Sequence, residues 1–153
     1  MKICFAASSG GHLEEISRLK EIREAYDSFL VTEKTDFQEL HFCDRVYYVP
    51  QVNRREPLFL LKFIKIFFQS MKILNKENPD CIISTGALAA VPMCILGKWN
   101  KKKVIYLESF ARVDSPSLTG RILYKLKIAD LFLVQWEEML EFYPEAVYSG
   151  GIF

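Results

Sequence analysis

Near the amino terminus, Ser8-Ser9-Gly10-Gly11-His12 combines two glycines, small hydroxyl side chains and an imidazole at one point of the chain. Placed between a strand and a helix, this order gives a tight turn. Its backbone can approach a ligand closely, and the first helical N–H groups and the helix dipole favour an anion such as a diphosphate. His12 at the mouth of the turn can hydrogen-bond a phosphate or serve as a base near neutral pH. Neither the dinucleotide G-x-G-x-x-G nor the P-loop spacing is present, and a purely structural turn is the alternative. A second chemical candidate is Glu108, which closes the apolar run Lys103–Leu107 and is followed by Ser109-Phe-Ala-Arg112. A carboxylate there is costly to bury unless it is paired or functional; an ion pair with Arg112 is the bland reading. Ser84-Thr85-Gly86 and Gln135-Trp136 end two further apolar runs. His41 follows Leu40 in a loop, has no recognisable partner, and reads as structural.

These residues are useful only if the elements bring them together. Apolar runs at 2–7, 28–32, 45–49, 81–84, 103–108 and 131–135 read as six strands. Between them lie helical patterns: 12–26, with Ile16, Leu19, Ile22 and Tyr26 on one stripe; about Pro57 to Glu77; near 87–98, around Pro92; and about 118–128, capped by Ser117. A short helix and an extended end close the chain. Alternating strands and helices with nearly continuous apolar strands predict an α/β fold: a Rossmann-like, doubly wound parallel sheet in a single domain over residues 1–153. In such sheets ligands bind at the carboxyl ends of the strands, which is where the candidates fall.

Composition narrows the function. Half of the 153 residues are apolar, and 20 basic residues face 19 acidic ones, which argues against a nucleic-acid coat. Residues 1–53 carry net −3, 54–97 net +3, 98–127 net +6 and 128–153 net −5. The basic middle suits an anionic ligand or lipid headgroups, and the acidic end suits a basic partner. Cys4, Cys43, Cys81 and Cys94 form no C-x-x-C pair and read as reduced core residues of a cytosolic protein. The first strand begins at residue 2, leaving no room for a signal peptide, and no apolar run reaches a membrane-spanning length. No cofactor or metal cluster is indicated. On the long helix, Lys62, Lys65, Gln69, Lys72 and Lys76 fall within about 80°, while Phe63, Phe67, Phe68 and other apolar residues occupy the remainder. Either the helix is packed between two layers, or it lies in a membrane interface with lysines at anionic headgroups.

Ser-Ser-Gly-Gly-His-Leu, Ser84-Thr85-Gly86, Tyr106-Leu-Glu-Ser-Phe-Ala-Arg112, Ser117-Leu-Thr-Gly-Arg-Ile-Leu-Tyr124 and Ala129-Asp-Leu-Phe-Leu-Val-Gln-Trp136 together resemble the Alg-fourteen family, including its bacterial PssD and CpsF type. The resemblance covers essentially the whole chain. It implies the amino-terminal, acceptor-side half of a split GT-B glycosyltransferase related to the MurG type. Such a subunit would bind a polyprenyl-diphosphate-linked sugar and recruit a separate catalytic subunit carrying the UDP-sugar, of the UDP-GlcNAc transferase type. The work would belong to capsule, exopolysaccharide or lipid-linked oligosaccharide synthesis at the cytoplasmic face of the membrane. The reaction would be inverting, and the chain inactive without its partner.

By the same resemblance His12 and Glu108 would be catalytic, with Glu108 facing the interdomain cleft. Ser9, Gly10, Gly11, Thr85, Gly86 and Arg112 would meet the acceptor diphosphate. The eukaryotic members' amino-terminal membrane helix has no counterpart here. Lys62, Phe63, Lys65, Phe67, Phe68 and Lys72 would therefore hold an anionic membrane surface. Tyr148, Gly150, Gly151, Ile152 and Phe153 would dock the partner. A scaffold without reacting groups, or a free-standing small-molecule enzyme, are the alternatives. The donor sugar (GlcNAc, galactose or glucose) stays open, as does the choice of base between His12 and Glu108.

Overall fold

The computed structural model describes residues 1–34, 42–53 and 55–153. Seven strands form one parallel sheet: β1 (Lys2–Ala7), β2 (Asp27–Glu33), β3 (Val46–Val49), β4 (Cys81–Gly86), β5 (Lys103–Leu107), β6 (Leu131–Val134) and β7 (Val147–Tyr148). The order across the sheet is β3-β2-β1-β4-β5-β6-β7, and every pairing is parallel. The helices are α1 (Gly11–Ser17), α2 (Lys20–Ala25), α3 (Phe59–Glu77), α4 (Val91–Trp99) and α5 (Leu118–Lys125), with 3₁₀ turns at Leu88–Ala90 and Glu137–Glu141. This is the doubly wound, Rossmann-like α/β fold that the alternation predicts.

The period-2 geometry of a strand sends successive side chains to opposite faces. In β1, Cys4 and Ala6 join the core beneath α3, α4 and α5, while Ile3, Phe5 and Ala7 join the core beneath α1 and α2. Both faces are covered, so β1 is apolar throughout. Helix α4 lies close on the sheet because Gly97 has no side chain: a Cβ there would stand 2.1 Å from Ile82 Cδ1. All four cysteines are buried and free, as expected of small core residues.

Several boundaries differ from expectation. The 12–26 helix is two helices, broken at Arg18-Leu19, where Arg18 N–H and Leu19 N–H donate back only three residues. The break keeps the predicted stripe in use: Ile16 is fully buried, and Leu19 and Ile22 pack against the same core, whereas Tyr26 is extended and exposed. Pro57 precedes α3, which starts at Phe59, and α3 ends on Asn78 in the left-handed region (φ 45°), before Pro79. Pro92 falls in the first turn of α4, where its missing N–H costs nothing. Ser117 caps α5 as predicted, its Oγ accepting from Gly120 N–H at 2.9 Å. Helix α5 ends at Lys125, short of Ile128. Strand β7 is a seventh strand with no counterpart in the sequence reading, which has only an extended end there. His41 lies outside the described residues.

Candidate functional site

A cleft of about 720 Å³ runs along the carboxyl ends of five adjacent strands. Its lining comes from each in turn: Gln51, Asn53 and Arg55 after β3, Glu33 at the end of β2, Ser8 and His12 after β1, Ala87 and Leu88 after β4, and Ser109, Arg112 and Ser117 after β5.

His12 is near its centre, in the first turn of α1. Thr85 Oγ1 donates to the His12 carbonyl at 2.7 Å, which ties the helix start to β4. Gly86 lies under the imidazole: a Cβ there would be 3.2 Å from His12 Cε1 and 3.3 Å from Nδ1, and the glycine's φ of +105° already excludes most side chains. His12 Nδ1 is buried without a hydrogen-bond partner. Burial holds the imidazole below its usual pKa, and Arg112 pushes the same way, while the Thr85 backbone beside the ring and the Glu108 charge act against them. The ring is therefore neutral at neutral pH, the form a general base needs.

Glu108, the residue immediately after β5, is only 1% exposed and does not line the cleft. Its Oε1 accepts from Ser109 N–H (3.0 Å) and the Tyr106 hydroxyl (3.3 Å). Its Oε2 accepts from Ser117 N–H (3.2 Å), Ser117 Oγ (3.1 Å) and the Tyr143 hydroxyl (2.8 Å). Burial and the Glu108 charge push the Tyr106 and Tyr143 hydroxyls well above their usual pKa, so both stay protonated and donate. Five donors meet a group with about four lone pairs, leaving none for a substrate proton. The expectation that Glu108 faces the cleft is thus corrected. There is no ion pair with Arg112 either; what offsets the burial is a shell of hydroxyl and backbone donors. Gly120 completes the shell, since a Cβ there would lie 2.1 Å from Glu108 Oε2 and 2.5 Å from the Tyr143 oxygen.

Of the six residues expected at a diphosphate, Arg112 alone lines the cleft. Ser9 Oγ donates to Glu33 at 3.4 Å, and Thr85 and Gly86 are buried beneath His12. Gly10 has φ +83° and needs to be glycine, whereas Gly11 is exposed and a Cβ on it would meet nothing within 4 Å. Two carboxylates escape the sequence reading. Glu33 closes β2 and is buried, its Oε1 accepting from Val52 N–H at 3.0 Å. Glu15, one turn beyond His12, accepts from Ser109 Oγ (2.8 Å) and Phe110 N–H (3.0 Å) through Oε1, while Oε2 is buried without a partner. Burial pushes the Glu15 carboxyl up. Glu15 ties the helix carrying His12 to the loop carrying Arg112. The available signal was its position in the α1 stripe beside Ile16.

Two outer surfaces complete the picture. On α3, Phe63 and Phe67 pack against the core, so their expected insertion into lipid is corrected; Lys62 pairs with Glu56. The exposed apolar residues are Leu58, Leu60, Leu61, Ile64 and Phe68, with Lys65 and Lys72 exposed alongside. No helix among the described residues is long and apolar enough to cross a membrane. At the carboxyl end, Ser149 N–H donates to Val134 O and Ile152 N–H to Gln135 Oε1. The Phe153 ring lies 5.1 Å from Phe110, which is 4.9 Å from Trp136, and the Arg18 guanidinium covers it at 5.1 Å. The segment thus packs on its own domain, and Tyr148 and Phe153 remain about half exposed.

Residues 32–152 match the family described as "Oligosaccharide biosynthesis protein Alg14 like". The chain belongs to the Alg14 family. Among Alg14 relatives, the human UDP-N-acetylglucosamine transferase subunit ALG14 is 32% identical, over 99% of this chain and 83% of its own length. The Kluyveromyces lactis protein of the same name is 52% identical over 53% of this chain and 32% of its own. The Alg14 fold seen here is that of longer solved proteins. MurG of Acinetobacter baumannii superposes with a TM-score of 0.67 at 15% identity, covering 87% of this chain and 40% of MurG. S. aureus MnaA gives 0.71 at 14%, covering 97% and 43%. The chain therefore spans about two-fifths of these structures.

Proposed function

We propose that this chain is the acceptor-binding subunit of a two-component, inverting UDP-sugar transferase, of the UDP-GlcNAc transferase type, that extends a polyprenyl-diphosphate-linked sugar. Capsule, exopolysaccharide or lipid-linked oligosaccharide synthesis is the setting in which such a product is used. The observation that carries the reading is His12: a neutral imidazole in the middle of an open cleft, with a cation, Arg112, on the same wall. In the reaction, the imidazole takes the proton of an acceptor hydroxyl as its oxygen attacks the anomeric carbon of the donor. The bond from that carbon to the UDP oxygen breaks, configuration inverts, and UDP leaves with its electron pair. Helix amino termini and arginines meet the diphosphate charge. The Gly10-Gly11 turn does not line the cleft but adjoins His12, and the open space at Gly11 leaves its backbone approachable.

The donor sugar arrives on a separate partner, a reading supported by the human relative's name as a transferase subunit. The end of the chain, Tyr148, Gly150, Gly151, Ile152 and Phe153, forms part of the docking surface, with acidic Glu137, Glu138, Glu141 and Glu145 steering a basic face. The exposed side of α3 holds the protein peripherally on the cytoplasmic face of an anionic membrane. A second reading, a scaffold without reacting groups, is favoured by one fact: every lone pair of Glu108 is committed inside the protein. The test is sugar transfer from labelled UDP-GlcNAc to a polyprenyl-diphosphate-GlcNAc by this chain, by its partner, and by the mixture. Transfer by the mixture alone is expected. Transfer by this chain unaided would overturn the two-component reading, and full turnover by a His12→Ala complex would favour the scaffold.

A further inference from the structure

The cleft has a direction. Strand order puts Arg55 at one end, after β3, then Glu33 after β2, His12 after β1, and Arg112 at the far end, after β5. With neighbouring strands about 4.8 Å apart, the axes of β3 and β5 are separated by about 19 Å. The reaction proposed above places two diphosphates about His12. The acceptor's lies one sugar away from the attacking hydroxyl. The donor's leaves from the opposite side of the anomeric carbon, in line with attack. They therefore belong on opposite sides of the imidazole.

The lipid decides which is which. A polyprenyl chain attached to the acceptor diphosphate has to reach the membrane, and α3, with exposed Leu60, Leu61, Ile64 and Phe68, begins at Phe59, four residues after Arg55. The acidic neighbour of Arg55 in sequence, Glu56, is paired with Lys62 and leaves the Arg55 guanidinium to other anions. Arg112, in contrast, follows β5, on the other side of His12 from Arg55 and the start of α3, the side left for the departing phosphate.

We propose that Arg55 binds the diphosphate of the lipid-linked acceptor, that Glu33 accepts hydroxyl groups of the acceptor sugar, and that Arg112 faces the departing diphosphate of the nucleotide sugar. This rests on the transferase reading and moves Arg112 from the acceptor to the donor side of the reaction. It also explains why Glu33 is buried at the rim with its carboxylate fixed by Val52 N–H and Ser9 Oγ: a hydroxyl acceptor has to be held in place before the sugar arrives.

Farnesyl diphosphate is a soluble probe for the acceptor end, and titration calorimetry on the full chain reads it without a partner. Losing one charge-assisted contact of about 1.5–3 kcal/mol corresponds to roughly 10- to 150-fold in Kd. Arg55→Gln should weaken farnesyl diphosphate by that factor, while Arg112→Gln should change it less than about twofold. In the complex, Arg55→Gln should raise KM for the lipid acceptor, and Arg112→Gln should lower kcat or raise KM for the UDP-sugar. The assignment is overturned if the wild-type chain does not bind farnesyl diphosphate, or if Arg112→Gln weakens it as much as Arg55→Gln. It is also overturned if the wild-type complex is active and the acceptor KM of Arg55→Gln is unchanged. Absence of transfer by the wild-type complex would instead sink the transferase reading itself.

Discussion

Glu108→Gln separates a base from a structural hub. Each carboxylate oxygen of Glu108 accepts one backbone N–H, Ser109 on Oε1 and Ser117 on Oε2. Hydroxyl donors can rotate away from an amide NH₂, but backbone N–H groups cannot. Whichever way the glutamine amide is turned, its NH₂ opposes one of these fixed donors, so two buried donors lose their partner. At about 1–3 kcal/mol for each unsatisfied buried group, the variant should lose about 3 kcal/mol. With a urea m-value of about 2 kcal/mol/M, the midpoint should fall by about 1.5 M. Tyr143→Phe is the control: it removes one donor of five and should cost about 1 kcal/mol. The assay is equilibrium urea unfolding followed by tryptophan fluorescence, with turnover measured on the same samples. A Glu108→Gln midpoint within about 0.3 M of wild type, accompanied by lost turnover, would refute the hub and restore Glu108 as a reacting group.

His12→Ala should lower turnover of the complex by about 10²-fold or more while the chain still binds its partner, measured by co-purification with single-turnover kinetics. Because burial lowers the His12 pKa, the acid limb of the kcat/KM profile should fall below the ordinary imidazole value of about 6.5. The unfolded chain then binds more protons in that window, so His12's contribution to stability is lost as pH falls below about 6.5. Glu15 has the opposite sign: its raised pKa means stability is present at acid pH and is lost as pH rises through the folded value. Glu15→Gln keeps the acceptor for Ser109 and Phe110 and should therefore raise the urea midpoint at pH 8 but not near pH 4; a lower midpoint at pH 8 would contradict this. Leu61→Ser, Ile64→Ser and Phe68→Ser together should abolish sedimentation with anionic vesicles and cost little stability, whereas Phe67→Ser should cost about 2 kcal/mol or more in urea.

The parts of the fold readable from sequence are those whose pattern is local. The apolar runs of β1, β4 and β5, the Ser117 cap and the length of α3 each follow from residues within a turn or a strand of one another. What the sequence hid depends on distant contacts. Glu15 is buried by a loop 94 residues away; its place on the Ile16–Leu19–Ile22 stripe separates it from exposed Glu14, but nothing local shows what its carboxylate binds. Gln51, Asn53 and Arg55 carry no motif of their own; they become a cleft wall only because β3 lies two strands from β1. Phe63 and Phe67 group with Phe68 in the sequence because one apolar arc is too wide to divide; the sheet and α4 divide it. Strand β7 is two exposed residues, held by pairing with β6, and has no pattern of its own.

The central position of β1 also shapes how the chain emerges during synthesis. One edge of β1 pairs with β2, complete by Glu33, but its other edge waits for β4, where Ile3 meets Cys81 and Phe5 meets Ile83. At ribosomal rates of about 5–20 residues per second, the roughly 50 intervening residues take about 3–10 s. During that interval a nascent β1–β2 pair shows an unprotected apolar edge, the kind of surface to which other chains add. Slow translation between Lys34 and Asp80 would lengthen that exposure. Aggregation during expression should therefore track the tempo of this segment more than the stability of the finished fold.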